Sequence, residues 1–312
     1  MNYVTENTDL GNSIYPGHRI TEVNFGGGFG KGFFNNPNAD VFYILEKKKI
    51  IKRFVKDYIK TSGTSGLVLG MSGGVDSSLV ASLISDMNTN IYLVLLHESR
   101  DRDDYKRARD YAYALRKDYK NIIVMDEVDS FSYWANVSIS IFSNNGRRHS
   151  LADANLRSRL RMVYLYYIAN SHNSLVVGTG NYLEDNVLGF FTKYGDGAVD
   201  IAPIQRLMKS EVYLMAFMQM VPIEILEAQP NDGLWIDGRD DSDQIGMTYR
   251  EVEALLESMK VDDNGSVGCE VVNNLDKLKV IIKRFEKNLH KIKPIPTPDM
   301  ELKFKTMVNF NI

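Results

Sequence analysis

The sequence predicts an α/β fold: an open parallel sheet with helices on both faces. Three observations carry this expectation. Short apolar runs of strand type alternate with stretches whose apolar residues recur at helical spacing. Two glycine-bearing strings, "GMSGG" and "GTGN", each close one of those runs, and in such sheets ligands sit beyond the carboxyl ends of the strands. The composition, 44% hydrophobic and 25% charged over 312 residues, is ordinary for a globular chain with ample length for a sizeable core.

In chain order, residues 1–40 read as an irregular N-terminal arm and residues 41–312 as a single domain. The arm holds "NFGGGFGKGFFNNPN", Asn24 to Asn38. A Walker A loop needs glycine where Phe25 stands and serine or threonine where Gly32 follows Lys31, so this stretch reads as an ordered loop carrying aromatics. "VFYILEKKKIIKRFVKDYIK" then spaces apolar residues as a helix does, with lysines between. "LVLG" is a short strand, "SSLVASLISDM" a helix, "IYLVLLHE" a strand, "DDYKRARDYAYALRK" a helix and "NIIVMDEV" a strand again. A long helical pattern covers "ADANLRSRLRMVYLYYIANS", and the strand "SLVVGTG" follows. Past residue 220 the chain turns more polar, and "AQPNDGLWIDGRDDSDQIG" reads as a long functional loop.

Several classes are disfavoured at once. A formal net charge of −3 gives no global basic field for nucleic acid. The single cysteine, Cys269, rules out an intramolecular disulfide framework or a multi-cysteine zinc site. The start "MNYVTENTDL" lacks the basic-then-apolar pattern of a secretory signal, and no apolar run is long enough to span a bilayer. A cytoplasmic setting, without membrane or nucleic-acid partners, is the expectation.

The loop Gly70, Met71, Ser72, Gly73, Gly74, Val75, Asp76, Ser77 and Ser78 carries the first chemical signal. Glycines let backbone N–H groups approach an anion, a helix starting near Ser77 adds its positive end, and three serines can donate. Asp76 is the odd member, because a carboxylate repels phosphate; a Mg²⁺ between the two removes the conflict.

That string, SGGVDSS, resembles the pyrophosphate loop of the N-type ATP pyrophosphatases, which split ATP to AMP and pyrophosphate to activate an oxygen for attack. A second segment narrows the resemblance. "VVGTGNYLEDNVLGFFTKYGDGAVDIAPIQRLMKSEVYLMA", Val176 to Ala216, is similar to NAD synthetases almost throughout, and "FTKYGDG" is specific to them. "ANLRSRLRM", "NLHKIKPIP" and "PNDGLW…DSDQIGMTYREVEALL" resemble further family segments, in order, over roughly residues 45–300.

The resemblance implies an adenine-nucleotide alpha-hydrolase-like fold. It also implies an ATP-dependent amidation of nicotinic acid adenine dinucleotide (deamido-NAD) with ammonia, through an adenylated carboxylate, giving NAD, AMP and pyrophosphate. It places ATP on the Gly70–Ser78 loop, Thr179, Lys209 and Asn231, and Mg²⁺ on Asp76 and Glu184. Asp185 competes for the latter role: spacing from Thr179 favours Glu184, while counting back from Phe190 favours its neighbour. Arg159, Lys193, Asp200, His290 and Lys291 match contacts to the dinucleotide, and Asp196 matches a group that orients ammonium or takes its proton. Asp76, Asp196 and Lys209 are the candidate catalytic residues, the lysine offsetting charge as the α-phosphate is attacked. His290 alone would read as a surface histidine; the Lys-x-x-Pro after it raises it.

Departures stand beside the match. An Arg-Leu-Pro run near the family's adenine site is replaced by "LLHES", Leu95 to Ser99, and Asn231 stands where serine or threonine is usual. With no room for a glutaminase domain, the chain is expected to use free ammonia or ammonia from a separate glutaminase. The family also implies a homodimer. Rival readings are another ATP-dependent amidase, against which "FTKYGDG" argues, and a catalytically dead nucleotide-binding module, against which Asp76, Glu184, Lys193 and Lys209 argue.

Overall fold

Alternate residues of each apolar run face opposite ways, as a two-residue pleat requires. Leu67, Leu69, Ile91, Leu93, Leu95, Leu175 and Val177 enter one buried cluster, while Val68, Tyr92, Val94 and Val176 enter another. Both faces of the sheet are therefore covered. The computed structural model that shows this describes residues 19–34, 37–142, 151–235, 237–261, 267–269 and 275–298. Residues 1–18, 35 and 36 of the arm, and 299–312 of the domain, lie outside the described residues.

The strands are β1 (Gly66–Gly70), β2 (Asn90–Leu95), β3 (Ile122–Asp126) and β4 (Ser174–Val177). They are parallel and ordered β3-β2-β1-β4, with Leu67 opposite both Ile91 and Leu175. The chain thus steps outward from β1 to β3 and then crosses back to lay β4 on the other side of β1. That reversal opens a crevice between the carboxyl ends of β1 and β4, the place where open α/β sheets hold ligands.

Helices α1 (Pro37–Ser62), α2 (Val75–Ile84) and α3 (Asp103–Asp118) join the first cluster through residues such as Val55, Leu79 and Tyr105. In α3 the buried residues Tyr105, Ala108, Ala112 and Leu115 recur at the three-to-four spacing of a helical face. Helices α4 (Val128–Phe142) and α5 (Leu151–Ser171) cover the other face through Phe131, Ala135, Ile168 and Ala169.

After β4 come a single π-helical turn (Leu183–Leu188) and α6 (Lys209–Met218), α7 (Ile223–Leu226), α8 (Asp241–Ile245) and α9 (Tyr249–Glu257). A short antiparallel pair, β5 (Met259–Val261) with β6 (Val267–Cys269), and the long α10 (Leu275–Ile292) complete the described chain. The long polar stretch after residue 228 contains α8, because Asp240 caps it by accepting from Asp243 N at 2.8 Å. The string "TYRE" starts α9 as a capping box: Thr248 Oγ1 accepts from Glu251 N and Glu251 Oε2 accepts from Thr248 N.

The arm is not peripheral where it is described. Ile20, Val23, Phe25, Phe29 and Phe34 are buried in the first cluster, and Phe25 and Phe29 pack against Tyr213 of α6.

Candidate active site

The crevice between β1 and β4 is a cavity of about 270 Å³. One wall is the turn from β1 to α2: Gly70, Met71, Ser72, Gly74, Val75 and Asp76. The opposite wall holds Thr179 and Glu184 after β4, and Asn231 comes from the loop before α8. Lys209 and Asp196 also line it.

Local chemistry explains why the first turn has this shape. Gly73 has φ +80°, and a Cβ on it would lie 2.0 Å from the Asp104 carbonyl oxygen. Only glycine permits both the left-handed backbone and that approach to α3. Ser77 turns back beneath the loop, where its Oγ accepts from Ser72 N at 3.2 Å and meets Ser72 Oγ at 2.9 Å. Gly73, Ser77 and Ser78 therefore shape the turn from behind, and the cavity is lined by their neighbours.

At the floor, Lys209 Nζ lies 2.5 Å from Asp76 Oδ2 and 2.8 Å from Glu184 Oε1. Lys209 is 1% exposed. Burial alone would lower the ammonium's pKa; Asp76 and Glu184 outweigh it and hold that pKa well above the ordinary lysine value. A charge this deep is tolerable only because it is paired and hydrogen-bonded. The Tyr249 ring beneath it, 4.7 Å away, adds a cation–π contact.

Asn181 organises the cluster and was not among the sequence candidates. Fully buried, it donates Nδ2–H to Asp76 Oδ1 at 2.9 Å. Its Oδ1 accepts from Leu183 N and Glu184 N at 3.1 Å each. One side chain thus starts the π turn and aligns Asp76. The same turn separates Glu184 from Asp185. Glu184 faces Asp76; Asp185 packs under Gly180, where an added Cβ would meet its carboxylate at 2.3 Å, and accepts from Gln205 Nε2. Burial pushes Asp185 up to about 7. The signal for Asn181 was the final residue of "GTGN".

The "FTKYGDG" segment folds as a compact turn on α5. Asp196 Oδ1 accepts from Ser158 Oγ at 2.6 Å and from Thr192 N at 2.9 Å, and Thr192 Oγ1 meets Asn155 Oδ1 at 2.7 Å. Gly195 leaves room for this, since a Cβ there would sit 2.3 Å from Ser158 Oγ. Tyr194, at φ +62°, holds a left-handed backbone that non-glycine residues seldom adopt.

Beside this turn gather Arg159, Lys193, His290 and Lys291. Arg159 Nε donates to the Lys193 carbonyl at 3.3 Å, and Lys193 Nζ donates to the His290 carbonyl at 2.8 Å. Lys291 Nζ donates to the carbonyls of Gly189 and Phe191 at 2.7 and 2.6 Å. These four residues form a basic corner where α10 ends, joined to the cavity through Asp196 and Ser158. Asp200 stands apart from both groups: its carboxylate accepts from Val176 N at 2.7 Å and Tyr166 OH at 3.2 Å, tying the β4 edge to α5.

His97, from "LLHES", lies in the cavity wall and is 5% exposed. Its Nε2 faces the Ser72 carbonyl at 3.1 Å, and since a carbonyl only accepts, Nε2 carries the hydrogen. Burial lowers its pKa to about 4, so the ring is neutral.

Comparison with known proteins narrows what this arrangement serves. Residues 48–295 match the family model described as NAD synthase. The chain is 34% identical over 251 residues to the NH(3)-dependent NAD(+) synthetase of Archaeoglobus fulgidus, covering 78% of this chain and 94% of that one. It is 40% identical over 222 residues to the protein of the same name from Alkaliphilus metalliredigens, covering 70% and 88%. Among solved structures, NMN synthetase from Francisella tularensis superposes with a TM-score of 0.66 at 28% identity, over 82% of this chain and 99% of that one. The NH3-dependent NAD synthetase from Campylobacter jejuni shares the fold, with a TM-score of 0.60 at 24% identity over 82% and 99%.

Proposed function

Because the chain belongs to the NAD synthase family, we propose that it joins ammonia to the nicotinate carboxylate of deamido-NAD at the expense of ATP, releasing NAD, AMP and pyrophosphate. The observation that carries this reading at the level of residues is the Asp76–Lys209–Glu184 cluster, with contacts of 2.5 and 2.8 Å, at the floor of a cavity walled by the glycine turn.

The chemistry divides into two displacements. A carboxylate oxygen of the substrate attacks the α-phosphorus of ATP, and the bond to pyrophosphate breaks. Ammonia then attacks the acyl carbon, the bond to AMP breaks, and a proton leaves the nitrogen. The Gly70–Ser78 turn holds the phosphates by backbone N–H groups at the start of α2. Lys209, kept charged by its two carboxylates, is the group assigned to offset the negative charge that collects during the first step. Asp196, fixed by Ser158 and Thr192, faces the cavity as the group that orients ammonium and receives its proton. Thr179 and Asn231 line the same cavity as further ATP contacts. Arg159, Lys193, His290 and Lys291 offer the dinucleotide's anionic groups a basic corner; Asp200, engaged with β4, supports that side of the site.

Among the described residues no group of three or more His, Cys, Asp or Glu converges as a ready-made metal cage. Asp76 and Glu184 are two hard oxygen donors within reach of one ammonium, and Mg²⁺ is usually held by one or two carboxylates plus phosphate and water oxygens. The residues therefore fit a Mg²⁺ that arrives with ATP. When bound, it neutralises the departing pyrophosphate.

The wider setting follows the same reading. No described helix is long and apolar enough to cross a membrane, and the lone cysteine and weakly acidic charge fit a cytoplasmic enzyme without a nucleic-acid partner. The ammonia is free or comes from a separate glutaminase. A homodimer is supported by Tyr133, Trp134, Ile141, Val163 and Tyr167, large side chains left exposed along α4 and α5.

A second reading keeps the chemistry and shortens the substrate to nicotinic acid mononucleotide; the Francisella likeness favours it. Purified protein with ATP, Mg²⁺ and ammonium, offered each acid in turn, separates the two. The proposal expects a higher kcat/KM with deamido-NAD, and little product when glutamine replaces ammonium. A higher kcat/KM with the mononucleotide, or full activity on glutamine alone, contradicts it.

A further inference from the structure

We infer that the glycine-rich arm, Asn24–Phe33, is a brace that positions the outer wall of the ATP cavity, and that Gly26 and Gly28 are its positioning residues. The inference rests on the functional reading only in naming ATP as the cavity's occupant. The brace itself rests on contacts made by arm residues that precede the family match at 48–295, onto residues within that match.

The outer wall is formed by Gln229, Pro230, Asn231, Asp232, Gly233 and Leu234, with Asp241 beyond them. The segment that carries it runs from the end of α7 through α8 to the start of α9; these two ends are its roots, and the arm grips both. At the first root, Gly26 N donates to the Leu226 carbonyl at 2.9 Å, and Asn24 N donates to Glu227 Oε1 at 3.2 Å. Gly27 N donates to Gln229 Oε1 at 3.4 Å. At the second root, Arg250 N donates to the Gly27 carbonyl at 3.2 Å, and the Arg250 guanidinium lies over the Phe33 ring at 4.7 Å.

The glycines are required for this grip. A Cβ on Gly26 would lie 2.1 Å from the Ala228 carbonyl oxygen and 2.8 Å from the Tyr213 hydroxyl. A Cβ on Gly28, at φ +88°, would lie 2.8 Å from Thr248 Oγ1. The arm is also fixed from beneath. Phe25 and Phe29 are buried against Tyr213, and Tyr213 in turn lines the cavity. A loop whose ends are clamped to one rigid strap keeps its cavity-facing residues in place with less ordering to do when a ligand binds. The glycine string that failed as a phosphate cradle thus acts one layer behind the phosphate site.

The test uses the full chain with Trp134 replaced by Phe, which leaves Trp235, whose Nε1 donates to Asp232 of the outer wall at 3.3 Å, as the single indole. ATP with Mg²⁺ is titrated against Trp235 emission in this parent, in Gly26→Ala, and in Glu227→Ala and Glu227→Gln, with thermal melts alongside. The brace predicts a rise of about 10-fold or more in apparent Kd for Gly26→Ala. It predicts about 2- to 5-fold for Glu227→Ala, the effect of one ordinary hydrogen bond, and recovery in Glu227→Gln, which keeps the acceptor. Melting temperatures of the Glu227 variants stay with the parent. Unchanged ATP affinity and Trp235 emission in Gly26→Ala and Glu227→Ala overturn the brace. If Gly26→Ala does not fold, the Glu227 pair decides alone. Parent protein that binds ATP yet forms no amide removes the substrate reading and leaves the brace standing.

Discussion

Asn181 links two segments that are 105 residues apart: its amide fixes Asp76, and its carbonyl oxygen fixes the turn that presents Glu184. Lys209 then closes the cluster. Asp76 is therefore not a free loop carboxylate, and its side chain is only 17% exposed. Asp76→Asn keeps the shape and removes one charge from the cluster. Turnover should fall on the order of 100-fold, as expected for lost electrostatic stabilisation of a transition state, with the Lys209–Glu184 pair still folded. Near-normal turnover at saturating Mg²⁺ would show that the carboxylate charge is not used. His97 gives a pH signature. Its folded pKa of about 4 lies below the unfolded value of 6.5, so its contribution to stability is complete above pH 6.5 and drains as pH falls toward 4. Asp104, Arg102 and Arg161 face it and set the balance around that burial. Between pH 7 and 4.5 wild type should lose roughly 2–3 kcal/mol more than His97→Asn by urea unfolding. The comparison must be a difference, because Asp185 and Asp241, pushed up to about 7 by burial, titrate in the opposite sense. Parallel pH profiles for the two proteins would contradict the buried neutral ring.

The four strands of the parallel sheet were legible as short apolar runs, and four helices as apolar residues at helical spacing; the short β5–β6 pair was not. Helix α4 was not. Its sequence "VDSFSYWANVSISIF" is rich in serine and β-branched residues of poor helix propensity; packing of Phe131 and Ala135 on the sheet overrides that preference. The contest between Glu184 and Asp185 has a similar cause. Spacing counted from Thr179 and from Phe190 pointed to different carboxylates; the π turn that carries both sends Glu184 to Lys209 and Asp185 to Gln205, an orientation that no count of residues supplies. The basic corner was legible only as four separated matches; what joins them is the end of α10, where Lys291 donates to the carbonyls of Gly189 and Phe191 and the His290 carbonyl accepts from Lys193. Arg159→Ala tests that corner. Losing one charge-assisted contact should weaken deamido-NAD binding about 10- to 150-fold and leave ATP binding nearly unchanged. Separate titrations of the two ligands decide; a loss confined to ATP would mean that the corner serves the other substrate.

At the scale of the whole molecule, the strand order places the candidate site. Because β4 returns to the far side of β1, the glycine turn after β1 and the Thr179–Glu184 segment after β4 face one another across a single crevice. No local pattern in the sequence encodes that return, which depends on how α4 and α5 cover the second face. The exposed row Tyr133, Trp134, Ile141, Val163 and Tyr167 on those same helices predicts a dimer. Sedimentation velocity should give twice the chain's 35.5 kDa, and Tyr167→Glu with Trp134→Glu should shift it to monomer; a wild-type monomer at micromolar concentration would remove this expectation.

The central claim is that the substrate's carboxylate is activated by adenylation within this crevice, and oxygen transfer reads it directly. Deamido-NAD labelled with ¹⁸O in the nicotinate carboxylate is turned over with ATP, Mg²⁺ and ammonium, and the products are weighed by mass spectrometry. The account predicts AMP carrying one ¹⁸O from the carboxylate, NAD keeping the other in its amide, and unlabelled pyrophosphate. Label in pyrophosphate or inorganic phosphate, or AMP without label, would contradict it.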